Sequence, residues 1–120
     1  LAADATPLPT NHGAAAVTGV GIGDTAYRGR ACVVRDLMLA HDQLQWGDVL
    51  IAPLTGPSIN SLLPILGALV VEEGGPFCHA AIVARSVGCP AVTGAHEATT
   101  RIPHGADVEV DPASGTVTIH

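Results

Sequence analysis

The chain has 120 residues, a length that suits one domain with a single hydrophobic core. Hydrophobic residues make up 48% of the chain, and it holds one Trp, one Tyr and one Phe, so we expect a folded protein with an aliphatic core. The net charge of −6 provides no basic face, which argues against nucleic acid and against an anionic membrane surface as partners.

The composition also bears on the compartment. No apolar run approaches the roughly 20 residues of a membrane span, and the first residues do not have the pattern of a signal peptide. Three cysteines at wide spacing indicate no disulfide framework. The expected compartment is therefore the cytoplasm, where thiols stay reduced.

The first half of the chain predicts a tail, a turn and two strands. Residues 1–16 are rich in Ala, Pro and Thr without a period, which is typical of a linker or flexible tail, so we place the domain at 17–120. The glycine spacing over 19–23 indicates a turn. A strand is predicted over 30–36, and Val49–Ala52 is a continuous apolar run of buried-strand length.

The second half alternates strands with helices. A short helix is predicted over 59–66, with Pro64 ending or kinking it. A strand over 68–72, a helix from about 78 to 87 and a strand over 91–93 follow, an order that suits a parallel crossover.

Two alternating segments, 108–111 and 117–120, then flank a turn and predict a hairpin. We expect an α/β fold with a mostly parallel core sheet and a C-terminal antiparallel hairpin.

The most informative segment is 74–85, in which two glycines precede a histidine at the start of a short apolar helix. An imidazole accepts a phosphoryl group only when one ring nitrogen is free of a proton. A helix start disfavours the cationic ring and offers unpaired N–H groups to the incoming phosphate. We therefore predict that His79 carries a phosphoryl group.

The neighbours of His79 are assigned to the phosphate. Gly74 and Gly75 are expected to adopt positive φ and to approach the phosphate without a Cβ in the way. Cys78 adds a weak S–H donor or a backbone N–H, and Ala80 lies beside it at the helix start. The ordinary alternative from the residues alone is a tight turn followed by a solvated surface histidine.

The same residues carry a resemblance to a known family. Segment 74–85, continued by 88–94, resembles the signature of the mobile, phosphohistidine domain of PEP-utilising enzymes, such as pyruvate phosphate dikinase, PEP synthase and rifampicin phosphotransferase. The family's Gly-Asp-Ile-Leu-Val strand is matched at 47–52 and its closing hairpin at 105–115. The resemblance covers roughly residues 19–118.

The resemblance implies a swivelling β/β/α domain of a phosphotransferase that does not turn over alone. His79 would take phosphate from ATP or PEP and deliver it to pyruvate, water or another hydroxyl. Dikinases often have Thr-Ser or Thr-Cys directly before the histidine, whereas this chain has Phe77-Cys78. An apolar residue at position 77 resembles the PEP-synthase-like and rifampicin-phosphotransferase-like branch. Phe77 and Arg85 are expected to support the motif or docking, since Arg85 lies nearly two turns from His79.

The resemblance also implies the partners and cofactors. An ATP-grasp nucleotide-binding domain and a PEP/pyruvate or acceptor-binding domain would be the partners. Mg²⁺ and ATP would belong to those domains, and no metal or cofactor is expected in this one. The final acceptor, the direction of flux and the oligomeric state stay open.

Other interpretations are weaker. A zinc site built from Cys78, His79, Cys89 and His96 fits no compact ligand spacing. The glycines at 19–23 do not form the dinucleotide-binding fingerprint. A redox role for Cys78 has no resolving cysteine nearby. A non-catalytic interaction or regulatory module that retains the fold is the alternative function.

Overall fold

The computed structural model describes residues 15–35, 42–53, 62–74 and 79–120. Within these ranges the chain forms eight strands, two α-helices and one short 3-10 helix. The strands are β1 (Ala15–Thr18), β2 (Val20–Ile22), β3 (Tyr27–Val33), β4 (Val49–Ala52), β5 (Ala68–Val71), β6 (Ala91–Thr93), β7 (Asp107–Asp111) and β8 (Thr116–Ile119). The helices are α1 (His79–Val87) and α2 (Ala98–Arg101), and the 3-10 helix is Leu63–Ile65.

The strands lie in the order β1-β8-β7-β3-β4-β5-β6-β2. The central strands β3, β4, β5 and β6 pair in parallel. The outer pairs are antiparallel, including the β7–β8 hairpin. The parallel core, the C-terminal hairpin and the crossover from β5 through α1 to β6 are all confirmed.

The central strands are buried on both faces. All residues of β4 and β5 are buried, which explains why both read as continuous apolar runs and not as alternating ones. On one face Leu50 and Leu69 belong to a core cluster with Ala80 and Ala84 of α1. The other face has a second cluster, whose members from the four parallel strands and the hairpin include Val49, Ile51, Val70, Val108 and Val117. The layers are those of the expected β/β/α arrangement.

The predicted turn over 19–23 is wrong, because most of this segment is strand. β1 and β2 stand at opposite ends of the strand order, yet only Gly19 separates them in the chain, so this segment joins the two ends. A Cβ at Gly19 would lie 2.1 Å from the carbonyl oxygen of Thr93, and one at Gly21 would lie 1.7 Å from that of Pro112. These glycines allow backbones to approach closely where the sheet closes.

Other boundaries differ in ways that the pairing explains. β3 begins at Tyr27 and not at 30, because Tyr27–Arg30 pairs with β7 while Ala31–Val33 pairs with β4. β1 begins at Ala15, two residues before the domain boundary placed at 17. Of the helix predicted over 59–66, the described part is the 3-10 helix that contains Pro64. The residues before 62 lie outside the described ranges.

The end of α1 agrees with its sequence signals. Gly88 follows the helix with φ of +71°, a left-handed conformation that favours glycine. The N–H of Cys89 donates to the carbonyl of Ala84 at 3.0 Å, and Pro90 then prevents continuation. Among the described helices, none has both the length and the apolar character needed to cross a membrane.

Candidate functional site

The helix α1 begins at His79, as the sequence predicts. It follows β5, which ends at Val71, and leads into β6, so its start belongs to the carboxyl edge of the parallel strands. This edge is where open α/β sheets bind ligands. Gly75, Phe77 and Cys78, which the sequence assigns to the site, lie outside the described residues.

The first turn of α1 suits an anion. The first four N–H groups of an α-helix have no partner within the helix. No acidic residue stands in the first turn of α1, so the helix supplies no carboxylate of its own to occupy those groups. Ala80, which the sequence assigns to the phosphate, is fully buried in the core. Ala81 and Ala84 are also fully buried and bring the helix close to the sheet.

The expectation of positive φ is wrong for Gly74. Its φ lies outside the left-handed region, whereas Gly94, across from it, has φ of +68°. A Cβ at Gly74 would meet the Cα of Gly94 at 3.5 Å, an ordinary contact distance. Backbone geometry therefore does not require glycine at position 74. Gly75 lies outside the described residues.

Hydrogen bonds hold the residues just before Gly74 on two sides. The N–H of Glu72 donates to the carbonyl of Ala52 at 3.1 Å, and the N–H of Glu73 to that of Pro53 at 2.9 Å. From the other side, the N–H of Gly94 donates to the carbonyl of Glu73 at 2.6 Å. The chain is thus fixed next to both neighbouring strands as it leaves β5.

A side-chain contact also holds the chain where it leaves β5, and the sequence did not reveal it. Oε2 of Glu72 accepts a hydrogen bond from the N–H of Thr99 at 2.9 Å and another from its Oγ1 at 2.7 Å. Thr99 belongs to α2, a four-residue helix too short to predict. The available signal was an acidic residue directly after a buried strand.

Arg85 lies in the last turn of α1 and is exposed. It stands six residues after His79, about 9 Å along the helix axis, which separates it from the helix start. A cavity of about 190 Å³ lies beside it, lined also by Ile22, Asp24 and Cys89. The position fits the interpretation that Arg85 does not meet the phosphate.

The described cysteines are packing residues. Burial raises the pKa of the Cys89 thiol to about 11, and burial followed by the nearby charge of Asp48 raises the pKa of Cys32. Both thiols are therefore protonated near neutral pH and pack as small hydrophobic groups. No group of three or more His, Cys, Asp or Glu side chains is arranged to hold a metal ion in the part of the chain that the structure describes.

Two histidines outside the site have structural partners. Nδ1 of His104 accepts a hydrogen bond from the N–H of Val33 at 3.1 Å. Nε2 of His120 lies 2.9 Å from Oε1 of Glu109, across the hairpin. Each of these contacts ties the C-terminal part of the chain to a strand.

Comparison with known proteins bears on the family of this chain. The model of the PEP-utilising enzyme mobile domain matches residues 44–115. The chain is 38% identical over 110 residues to the phosphoenolpyruvate synthase of Aquifex aeolicus, covering 92% of this chain and 13% of that protein. It is 36% identical over 104 residues to the rifampicin phosphotransferase of Streptomyces sviceus, covering 87% and 12%. An uncharacterized protein of Mycobacterium tuberculosis is 40% identical over 115 residues, covering 92% and 13%.

Solved structures agree in fold. The NMR solution structure of an Enzyme I protein aligns with a TM-score of 0.56 and 32% identity, covering 64% of this chain and 32% of that one. The holo-form of aconitase X from Thermococcus kodakaraensis aligns with a TM-score of 0.66 and 20% identity, covering 87% and 97%, a likeness of fold alone.

The chain spans 12–13% of the length of the relatives named above, so it corresponds to one part of much longer proteins. The family model covers more than half of the chain, and it includes the helix that begins at His79. The resemblance seen in the sequence is confirmed: the chain belongs to the family of mobile domains of PEP-utilising enzymes.

Proposed function

We propose that the chain is the phosphocarrier part of a phosphotransferase and that His79 carries the phosphoryl group. The observation that carries the proposal is that α1 begins at His79, at the carboxyl edge of the parallel strands. Unpaired N–H groups at a helix start bind phosphate, and the first turn holds no competing carboxylate.

In the loading step, a ring nitrogen of neutral His79 uses its lone pair to form a bond to the transferred phosphorus. With PEP as donor, the P–O bond to the enol oxygen breaks and its electron pair leaves with that oxygen. With ATP as donor, the bond from the β-phosphorus to the α-phosphate oxygen breaks and AMP leaves with the electron pair. Water then cleaves the bond to the γ-phosphoryl group, which leaves as inorganic phosphate, so one phosphoryl group stays on the ring. The second ring nitrogen keeps its proton. In the delivery step the N–P bond breaks, its electron pair returns to the ring, and an acceptor oxygen bonds to the phosphorus. An acceptor hydroxyl or water releases its proton to solvent in this step.

We assign the donor and acceptor sites to other domains. The relatives are named phosphoenolpyruvate synthase and rifampicin phosphotransferase, and this chain matches only a small part of them. The donor is ATP, through its β-phosphoryl group on an ATP-grasp domain, or PEP in the reverse direction. The acceptor is pyruvate, water or another hydroxyl on a further domain. ATP and Mg²⁺ are assigned to these partners.

The proposal is tested by supplying the nucleotide-binding domain of the same polypeptide together with labelled ATP and Mg²⁺. We expect an acid-labile, base-stable phosphate on the wild-type chain and none on His79→Gln. His120→Gln is the matched control, because it removes an imidazole that lies beside Glu109 of the hairpin, and it should retain the label.

Two outcomes would contradict the carrier role. One is a wild-type chain that stays unlabelled although the nucleotide-binding domain still binds it and hydrolyses ATP. The other is label that persists in His79→Gln. The first outcome would favour the alternative, a regulatory or interaction module that keeps the fold.

A further inference from the structure

Glu72 has a long-range side-chain partner shortly before the segment that leads to His79. It directly follows β5 and precedes His79 by seven residues. Its Oε2 accepts two hydrogen bonds from Thr99, from the backbone N–H at 2.9 Å and from the hydroxyl at 2.7 Å. Thr99 is only 6% exposed, so this contact is shielded from water.

The contact joins two segments that are 27 residues apart in the chain. On one side is the departure of the chain from β5 toward His79. On the other side is the start of α2. The residue before this helix, Glu97, has φ of +64°, and its side chain makes no capping hydrogen bond. Glu72 therefore satisfies an N–H of the first turn of α2 that would otherwise have no partner in the helix.

Backbone hydrogen bonds hold the departing chain within the sheet. The N–H groups of Glu72 and Glu73 donate to the carbonyls at the end of the neighbouring strand β4, and the carbonyl of Glu73 accepts from the N–H of Gly94. The carboxylate adds an anchor outside the sheet, on a buried group of another element. Arg35, at the end of β3, also reaches this anchor, with Nη1 lying 3.5 Å from Oγ1 of Thr99.

We propose that Glu72 is a positioning residue for the phosphoryl acceptor: its carboxylate, held by Thr99, sets where the segment leading to His79 leaves the sheet. This inference rests on the proposed carrier role of His79. The transferred phosphorus must meet the ring nitrogen and the N–H groups of the helix start in one geometry, and small displacements of such groups reduce rates severely. Glu72 acts only through this geometry and is not assigned to the phosphate itself.

The inference is tested on the 120-residue chain with potassium phosphoramidate, a small donor that phosphorylates histidine without a partner domain. Mass spectrometry measures the phosphorylation rate at His79 relative to the rate at His120 in the same molecule. The wild-type ratio tests the proposed function, since a built phosphate site should make His79 the faster of the two. The variants then test the role of Glu72.

Two matched pairs of variants separate the contact from the side-chain volume. Glu72→Ala removes the acceptor, and we expect the ratio to fall by roughly tenfold. Glu72→Gln keeps an acceptor oxygen and should stay within about twofold. Thr99→Val keeps the shape without the hydroxyl and should lower the ratio by about threefold, whereas Thr99→Ser should restore it.

The outcomes distinguish the two proposals. A wild-type ratio near one contradicts the carrier role of His79, and the inference falls with it. A high wild-type ratio that stays unchanged in folded Glu72→Ala overturns the inference about Glu72 and leaves the carrier role of His79 standing. This holds also where Glu72→Ala has a lower melting temperature, because Glu72 would then stabilise only α2. If Glu72→Ala does not fold, the Thr99 pair decides by the same ratio.

Discussion

Gly19 and Gly21 have surroundings that contrast with those of Gly74. A Cβ at Gly19 or Gly21 would lie 2.1 Å or less from a carbonyl oxygen of another strand. A Cβ at Gly74 would make an ordinary contact at 3.5 Å. Gly74 and Gly75 belong to the segment that carries the family resemblance, whereas Gly19 and Gly21 lie where the sheet closes.

The contrast shows that spacing alone does not reveal what a glycine does. Gly19 and Gly21 are required by backbone crowding, so their purpose is the fold. At position 74 the fold has room for a methyl group, so a requirement for glycine there must come from what the loop binds. Substitution by alanine therefore separates the two kinds of glycine.

The largest effect is expected from Gly21→Ala. The added Cβ would overlap the carbonyl of Pro112, a backbone group that cannot rotate away, so β2 must lose its pairing with β6. We expect a loss of more than about 4 kcal/mol of unfolding free energy, or no folded protein at all. Urea titration followed by circular dichroism measures it. The single Trp, Trp46, is 80% exposed and would report little by fluorescence.

The control is Val20→Ala in the same strand. Val20 is 40% exposed, so the loss should be about 1 kcal/mol or less. Equal losses in the two variants would show that crowding is not what places glycine at position 21.

Gly74→Ala should leave the fold intact and reduce phosphorylation. Because φ at Gly74 is not in the left-handed region, alanine fits, and the unfolding free energy should change by no more than about 1 kcal/mol. The rate of His79 phosphorylation should fall by roughly tenfold, equivalent to about 1.4 kcal/mol, because the proposed role of Gly74 is in binding the phosphate.

Gly94→Ala provides the comparison for Gly74→Ala. Gly94 has φ of +68°, so alanine there should cost about 1–2 kcal/mol of stability. A Gly74→Ala chain that is fully active would remove Gly74 from the phosphate site. A Gly74→Ala chain that is as destabilised as Gly21→Ala would show that Gly74, like Gly21, is required by the fold.

The smallest effect concerns charge in the hairpin half of the molecule. Arg28 donates hydrogen bonds to Asp107, and these lower the pKa of Asp107 below its ordinary value. The folded state therefore favours the carboxylate. Its contribution is present above the pKa of Asp107 in the unfolded chain and is lost as pH falls through the lower folded-state pKa. Both side chains are about half exposed, so the contribution should be small and should weaken with salt.

Asp107→Asn isolates this contribution. Urea titrations at pH 5 and pH 3 should show that the variant loses less stability on acidification than the wild-type chain does. A variant with an unchanged or steeper loss would show that the pair does not contribute in this pH range. Either way, the effect should be far smaller than that of Gly21→Ala, because this half of the molecule is held by backbone fit and apolar burial.

The sequence predicted the elements whose cause is local. β4 and β5 are continuous apolar runs, β7 and β8 flank a turn, and α1 ends at Gly88, so composition and period sufficed. The joining of β1 to β2 was not predictable, because it depends on Thr93 and Pro112 far along the chain. The contact of Glu72 with Thr99 was missed for the same reason, since its partners are 27 residues apart and one lies in a four-residue helix.

The terminal strands of the order, β1 and β2, have a consequence for association between molecules. They are four and three residues long, and α2 packs against β1 while α1 packs against β2. Short outer strands with helices beside them leave few main-chain groups for a neighbouring chain to pair with. On the proposed carrier role, the domain exposes its surface each time it passes between partners, and this arrangement lets it do so while resisting strand exchange and aggregation.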